Sequence, residues 1–186
     1  QSNTNCYDVG CSLGASSLSI LQGVKDAKVI AIDNSEAMIE ECERRFKNLT
    51  ESFHIKFICE DIMDSSLSDA SIVVVNYVIQ FLDLEQRDTL LEKIYNALLP
   101  GGILILSEKI HHKNNFESER IFKTHHKFKS SNGYSDLEIS GKRDSLEGVL
   151  LTECEEDHIL RAKKAGFINS EKILSNLNFR TFKFLK

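Results

Sequence analysis

Apolar residues along this chain alternate between two periods. Cys6-Tyr7-Asp8-Val9 reads as a short strand that stops at Gly10, and Leu13 to Gln22 places Leu13, Leu18, Ile20 and Leu21 at helical spacing before Gly23. Lys28 to Ile32 (KVIAI) is an apolar, β-branched strand. Ser35 then offers an N-cap, with Glu36 in the first turn, for a helix that carries Met38, Ile39, Cys42 and Phe46. His54 to Cys59 (HIKFIC) alternates as a strand does, and Ser71 to Tyr77 (SIVVVNY) is the continuous apolar run of a strand covered on both faces. Leu84 to Leu99 repeats Leu90, Leu91, Ile94 and Leu98 on one helical face, ends at the turn Pro100-Gly101-Gly102, and is followed by the strand Ile103 to Leu106. Strand–helix alternation with buried strands predicts an α/β fold, a mostly parallel sheet with helices on both faces. The order of the strands is not readable from one sequence.

Beyond Ser107 the pattern changes. Residues 109–131 hold six Lys or Arg, four His and two acids, which predicts an inserted helix with a solvated face. Residues 132–150 open on the turn signal Asn132-Gly133 and end in a helical piece. Thr152 to Ala165 reads as a helix, with Thr152 and Glu155 as a capping box and Gly166 as its stop. Lys172 to Leu177 and Arg180 to Leu185 read as a hairpin through Asn178. The prediction is one domain over residues 1–186 with a helical insertion at about 108–150 after the fifth strand.

Composition narrows the function classes. The chain has 186 residues, enough for one domain that buries a core without disulfide or metal staples. The net charge of −5 argues against binding nucleic acid through bulk charge, and no apolar run approaches the roughly 20 residues of a membrane helix. Five scattered cysteines, an odd number without a C-x-x-C pair, point to a reducing cytoplasm. Polar residues run almost at once from Gln1 into a strand, with no Met, so a stretch of N-terminal sequence is expected ahead of Gln1.

Ligands of such sheets bind at the loops that follow the carboxyl ends of the strands. The first loop, Asp8-Val9-Gly10-Cys11-Ser12-Leu13-Gly14, allows close backbone approach, but its G-x-x-x-G spacing lacks the middle glycine of a pyrophosphate site. A bare βα turn would also use a glycine. Asp33-Asn34, 23 residues past Gly10, stands where a carboxylate receives ribose hydroxyls; otherwise it is an N-cap cluster. Asp61-Ile62 suits adenine, with the acid accepting from the amino group and Ile62 covering the ring; otherwise Asp61 is a solvated loop acid. Asn76 closes a valine run and needs a polar partner, either a ligand or a neighbouring loop. Four loops in register describe a site for adenosine without phosphates, hence S-adenosylmethionine, on a class I methyltransferase-like Rossmann fold.

The segments YDVGCSLGAS, IAIDNSEAMIE, NYVIQFL, PGG, SEK, HHKFKSSNGYSDLEIS and the Lys142-Arg143 pair together resemble the carboxy-S-adenosyl-L-methionine synthases, from about Tyr7 to the C-terminus. The insertion motif is the most specific part. The resemblance implies conversion of S-adenosyl-L-methionine and prephenate to carboxy-S-adenosyl-L-methionine, with loss of phenylpyruvate and water. It implies a product passed to a tRNA carboxymethyltransferase that modifies wobble uridine, a homodimer, and no direct contact with nucleic acid or membrane. It assigns Gly10, Cys11, Ser12, Asp33, Asn34, Asp61, Ile62 and Asn76 to S-adenosylmethionine, and Arg143 to the added carboxylate. The family also carries a helical stretch ahead of the first strand, with a tyrosine that touches the ligand.

The residue types agree with that chemistry. Joining a carboxyl to a sulfonium methyl requires a carbanion-like carbon, and a planar arginine can hold the new carboxylate bidentately. Without the resemblance, Arg143 reads as a surface arginine paired with Asp144 or Glu147. Tyr134 either bonds the donor acid or is a core tyrosine, and Glu108 is a possible acid or base. His111-His112 and His125-His126 point to different helix faces and lack a completing ligand, so no metal is expected. Nothing around Cys11 would make it a nucleophile. The rivals are an ordinary S-adenosylmethionine-dependent methyltransferase of a small molecule or RNA, which would not need Arg143, and a non-catalytic S-adenosylmethionine-binding subunit. A nicotinamide oxidoreductase is disfavoured by the glycine spacing.

Overall fold

The computed structural model describes residues 3–48, 53–146 and 148–186. The apolar runs assemble into one seven-stranded sheet of order β3-β2-β1-β4-β5-β7-β6. Its strands are β1 (Asn5–Val9), β2 (Lys28–Asp33), β3 (His54–Cys59), β4 (Ala70–Asn76), β5 (Leu98–Lys109), β6 (Asn169–Asn176) and β7 (Phe179–Leu185). The first five pair in parallel, whereas β7 runs antiparallel to β5 and to β6. Strand order reverses between β1 and β4, the switch point beside which ligands of such sheets bind.

The described residues also form six α-helices: α1 (Ala15–Gly23), α2 (Glu36–Phe46), α3 (Leu84–Ala97), α4 (Asn115–Ser131), α5 (Asp136–Asp144) and α6 (Glu155–Ala165). The main core lies between the sheet and α3 and α6, through Val73, Val75, Leu90, Ile94, Leu104, Ala162 and Phe182. A second cluster packs Ile20, Leu21, Val29 and Phe46 on the other face. The two-sided covering explains why β4 reads as unbroken valine. No described helix is long and apolar enough to cross a membrane.

Several expected boundaries move. α1 starts at Ala15 because Gly14 adopts φ 79° as its N-cap, which leaves Leu13 exposed. The final helix is capped at Cys154, not Thr152. Cys154 N–H donates to Asp157 Oδ2 at 3.0 Å, while Glu155 receives Arg180 Nε at 3.1 Å and Lys172 Nζ at 2.8 Å. Ordered strand continues to Lys109, so the insertion helix begins at Asn115, under the Asn114 side chain that accepts from Phe116 N–H at 2.9 Å. The closing hairpin turns at Leu177-Asn178 as expected, with β6 as an exposed edge.

A buried charge network ties the insertion to the body. Arg87 of α3, fully buried, donates to Glu153 Oε2 at 2.6 Å, and Arg161 of α6 donates to Glu153 Oε1 at 2.6 Å. Arg87 also donates to the carbonyls of Leu82 (2.9 Å) and Leu151 (2.8 Å). Burial alone would raise the Glu153 pKa, but Arg161 and Arg87 hold it below the ordinary carboxylate range.

Candidate functional site

The loop after β1 is fixed from both sides. Gly10 and Cys11 donate their N–H groups to Ile32 O at 2.8 and 3.0 Å, and Ser12 N–H donates to Asp33 Oδ2 at 2.8 Å. Gly10 sits at φ 68°, and a Cβ there would overlap Val78 Cγ2 of the loop after β4. Glycine is therefore required on two counts, conformation and space. The Cys11 thiol is buried; burial and then the Asp8 carboxylate raise its pKa, the opposite of nucleophile activation. Asp8 is also buried and receives Ser17 Oγ at 2.6 Å, so it anchors α1 to β1.

Asp33 ends β2, and its second oxygen receives Ser35 N–H at 3.0 Å. Both oxygens thus hold a backbone donor and keep a further lone pair for a ligand hydroxyl. Asn34 beside it is exposed. After β3, Asp61 is exposed and accepts Met63 N–H at 2.8 Å. Ile62 turns inward and joins the main core, which leaves little of its surface for an aromatic ring.

At the end of β4, Asn76 donates from Nδ2 to Ser16 Oγ at 2.9 Å, while its Oδ1 is a buried acceptor with no hydrogen-bond partner. An orphaned buried acceptor is costly and fits a cationic donor on a ligand. Tyr77 follows at φ 60°, a left-handed conformation that costs a bulky residue about 1–3 kcal/mol. The backbone is held there from β5. Tyr77 N–H donates to Ser107 O at 2.7 Å. The fully buried Glu108 carboxylate then accepts the next three N–H groups: Val78 (3.1 Å) and Ile79 (2.9 Å) on Oε1, and Gln80 (3.3 Å) on Oε2. Burial pushes the Glu108 pKa up to about 7, with the three backbone donors and then Arg87 pulling it back. Glu108 caps a 3-10 turn (Ile79–Phe81) and so positions the loop that presses Val78 on Gly10. In the sequence Glu108 stood only as a possible acid or base.

The two remaining candidates lie in the insertion. Tyr134 is exposed in the turn between α4 and α5, so it is not a core tyrosine. Arg143 is exposed on α5 and pairs with Asp144 Oδ1 at 3.1 Å; Glu147 lies outside the described residues. No hydrogen bond or ion pair among the described residues joins either side chain to the four loops. The structure thus gathers Gly10, Cys11, Ser12, Asp33, Asn34, Asp61, Ile62 and Asn76 along one edge of the sheet, with Arg143 and Tyr134 apart on the insertion. Arg143 lines a groove of about 790 Å³ between the insertion helices and the end of β5. Among the described residues no three His, Cys, Asp or Glu side chains are grouped to hold a metal ion.

A family model for a methyltransferase domain matches residues 7–102, from β1 into β5, and stops before the insertion. Likeness to whole proteins extends further. The carboxy-S-adenosyl-L-methionine synthase of Citrobacter koseri is 46% identical over an alignment that spans 100% of this chain and 76% of that protein. The protein of the same name from Salmonella paratyphi C is 45% identical with the same coverage. The chain belongs to the carboxy-S-adenosyl-L-methionine synthase family. Solved methyltransferases share this family member's fold at low identity. A putative O-methyltransferase from Nostoc punctiforme gives a TM-score of 0.72 at 15% identity, over 100% of this chain and 53% of that one. Magnesium protoporphyrin IX methyltransferase from Synechocystis, solved with bound S-adenosylmethionine, gives 0.65 at 15%, over 98% of this chain and 70% of that one. The chain thus spans about half the length of the first of these. The insertion, the closing helix and the hairpin lie after residue 102, beyond the part that the family model matches.

Proposed function

We propose that the chain converts S-adenosyl-L-methionine and prephenate to carboxy-S-adenosyl-L-methionine and phenylpyruvate, with release of water. The observation that carries this reading is 46% identity to a carboxy-S-adenosyl-L-methionine synthase over the whole chain, insertion included. When bound, S-adenosylmethionine supplies an activated sulfonium methyl carbon. Around it, Asp33 receives the ribose hydroxyls, Asp61 the adenine amino group, and the unpartnered Asn76 Oδ1 the ammonium of the methionine end. Gly10, Cys11 and Ser12 let the backbone approach the ligand, and Arg143 holds the carboxylate once it has been added. Tyr134 bonds the donor acid.

In this reading the product passes to a tRNA carboxymethyltransferase in the cytoplasm, with no direct role for nucleic acid or membrane. A homodimer accounts for the apolar surface that the insertion leaves uncovered, where Phe116, Phe128 and Leu137 are exposed.

The test is incubation with S-adenosylmethionine and prephenate, read by mass spectrometry for S-adenosylmethionine heavier by one CO2. Prephenate-dependent appearance supports the synthase. Its absence, with S-adenosylmethionine still bound, moves the reading to an ordinary methyltransferase.

A further inference from the structure

The groove between the insertion and the sheet carries a charge pattern that the four loops do not. Its walls hold Lys109, His125, Lys129, Lys142 and Arg143, and its one carboxylate among the described lining residues, Glu119, pairs with Lys123 at 3.8 Å. Lys109 and Lys129 have no ion-pair partner among the described residues. Burial and then Lys129 pull the Lys109 pKa down; burial, then Lys129 and Lys109, do the same to His125. Lys109 and Lys129 therefore repel each other with no ion-paired acid between them among the described residues, and His125 is held toward its neutral form. Ile110, Ile121, Phe122 and Leu146 add apolar side chains to the same lining.

The groove opens beside the loop after β4. Lys109 ends β5, two residues past Ser107, which pairs with Asn76 in the sheet register. The His125 ring meets Phe179 edge-on at 5.5 Å, and Phe179 meets Tyr77, next to Asn76, in the same way at 5.8 Å.

We propose that this groove seats the donor acid, with Lys109, Lys129 and His125 receiving the carboxylates of a small dicarboxylic acid and the apolar side chains beside them receiving its ring. The assignment rests on the carboxyl-transfer reading and adds the donor's seat to it. Unpaired cations beside apolar side chains suit a compact dianion with a hydrocarbon ring, and the volume lies within the roughly 300–1,000 Å³ of small-molecule sites.

The experiment measures carboxy-product formation against prephenate concentration, and S-adenosylmethionine binding by calorimetry, in wild type, Lys109→Met, Lys109→Arg, Lys129→Met and Lys127→Met. Lys127 is exposed on the same helix but outside the groove, so it controls for net charge. A lost charge-assisted hydrogen bond raises the prephenate KM about tenfold or more in each of Lys109→Met and Lys129→Met. S-adenosylmethionine affinity stays within about twofold of wild type, which also reports a sound fold; Lys109→Arg restores most of the prephenate affinity, and Lys127→Met matches wild type. Product from wild type with an unchanged prephenate KM in both methionine variants overturns the groove alone. No product from wild type overturns the carboxyl-transfer reading and this assignment with it.

Discussion

Replacing Glu108 with glutamine removes a charge that the fold holds at a cost, and the effect should depend on pH in a calculable way. The ordinary carboxyl value is 4.5, and burial pushes that of Glu108 up to about 7 in the folded protein. Between these values the folded state retains a proton that the unfolded chain has released. Stability therefore falls as pH rises through this window, and the loss is complete above it. Each pH unit is worth about 1.4 kcal/mol, so the wild-type loss attributable to this group is about 3 kcal/mol. Glutamine cannot ionise. Its amide oxygen can keep the Val78 and Ile79 bonds, while its NH2 meets the Gln80 N–H, a pH-independent penalty of about 1–2 kcal/mol. His158, whose burial draws its pKa down to about 4, acts in the opposite sense over an overlapping window. That contribution is common to both proteins and cancels in their difference. Urea unfolding of wild type and Glu108→Gln from pH 4.5 to 8 should show the variant gaining about 3 kcal/mol relative to wild type across the series. A difference that stays constant within about 0.5 kcal/mol would refute the claim that a strained buried carboxylate holds the loop after β4.

Three further outcomes follow from the same geometry. Gly10→Ala forces a Cβ into Val78 at φ 68° and should cost about 1–3 kcal/mol of stability and weaken S-adenosylmethionine binding; thermal unfolding and calorimetry read both. Glu153→Ala leaves Arg87 and Arg161 without their shared partner and should destabilise by about 3–5 kcal/mol in urea titrations, whereas a cost under about 1 kcal/mol would show that the network is not stabilising. Arg143→Ala should keep S-adenosylmethionine binding and lose the carboxylated product; equal product from variant and wild type by mass spectrometry would end that role.

The inner parallel strands β2 and β4 were legible because they are covered on both faces, so their apolar runs are continuous, while the edge strand β3 was legible from its alternation. The loop positions followed from those strands, since Asp33, Asn76 and Gly10 each stand at a carboxyl end. What depended on distant partners was not legible. Arg87 lies inside an otherwise ordinary helix, and its partner Glu153 is 66 residues away. The cap of α6 shifted because Glu155 is claimed by Arg180 and Lys172, leaving Asp157 to serve Cys154. Glu108 resembled a reactive acid, yet three backbone donors occupy it. Chain order alone could not tell that Arg143 pairs with Asp144 and that Tyr134 is exposed in the turn between α4 and α5.

The two feet of that insertion stand side by side. Ile110 bridges Glu153, and His111 N–H donates to Glu153 O at 3.1 Å, so residues 112–152 leave the sheet and return to it at nearly one point. Such a segment is a cassette. Its length and helices can change while the strands beneath keep their register, because loop closure grows only slowly with length. A chain in which residues 112–152 give way to a short Gly/Ser linker would show whether the body beneath is still self-sufficient.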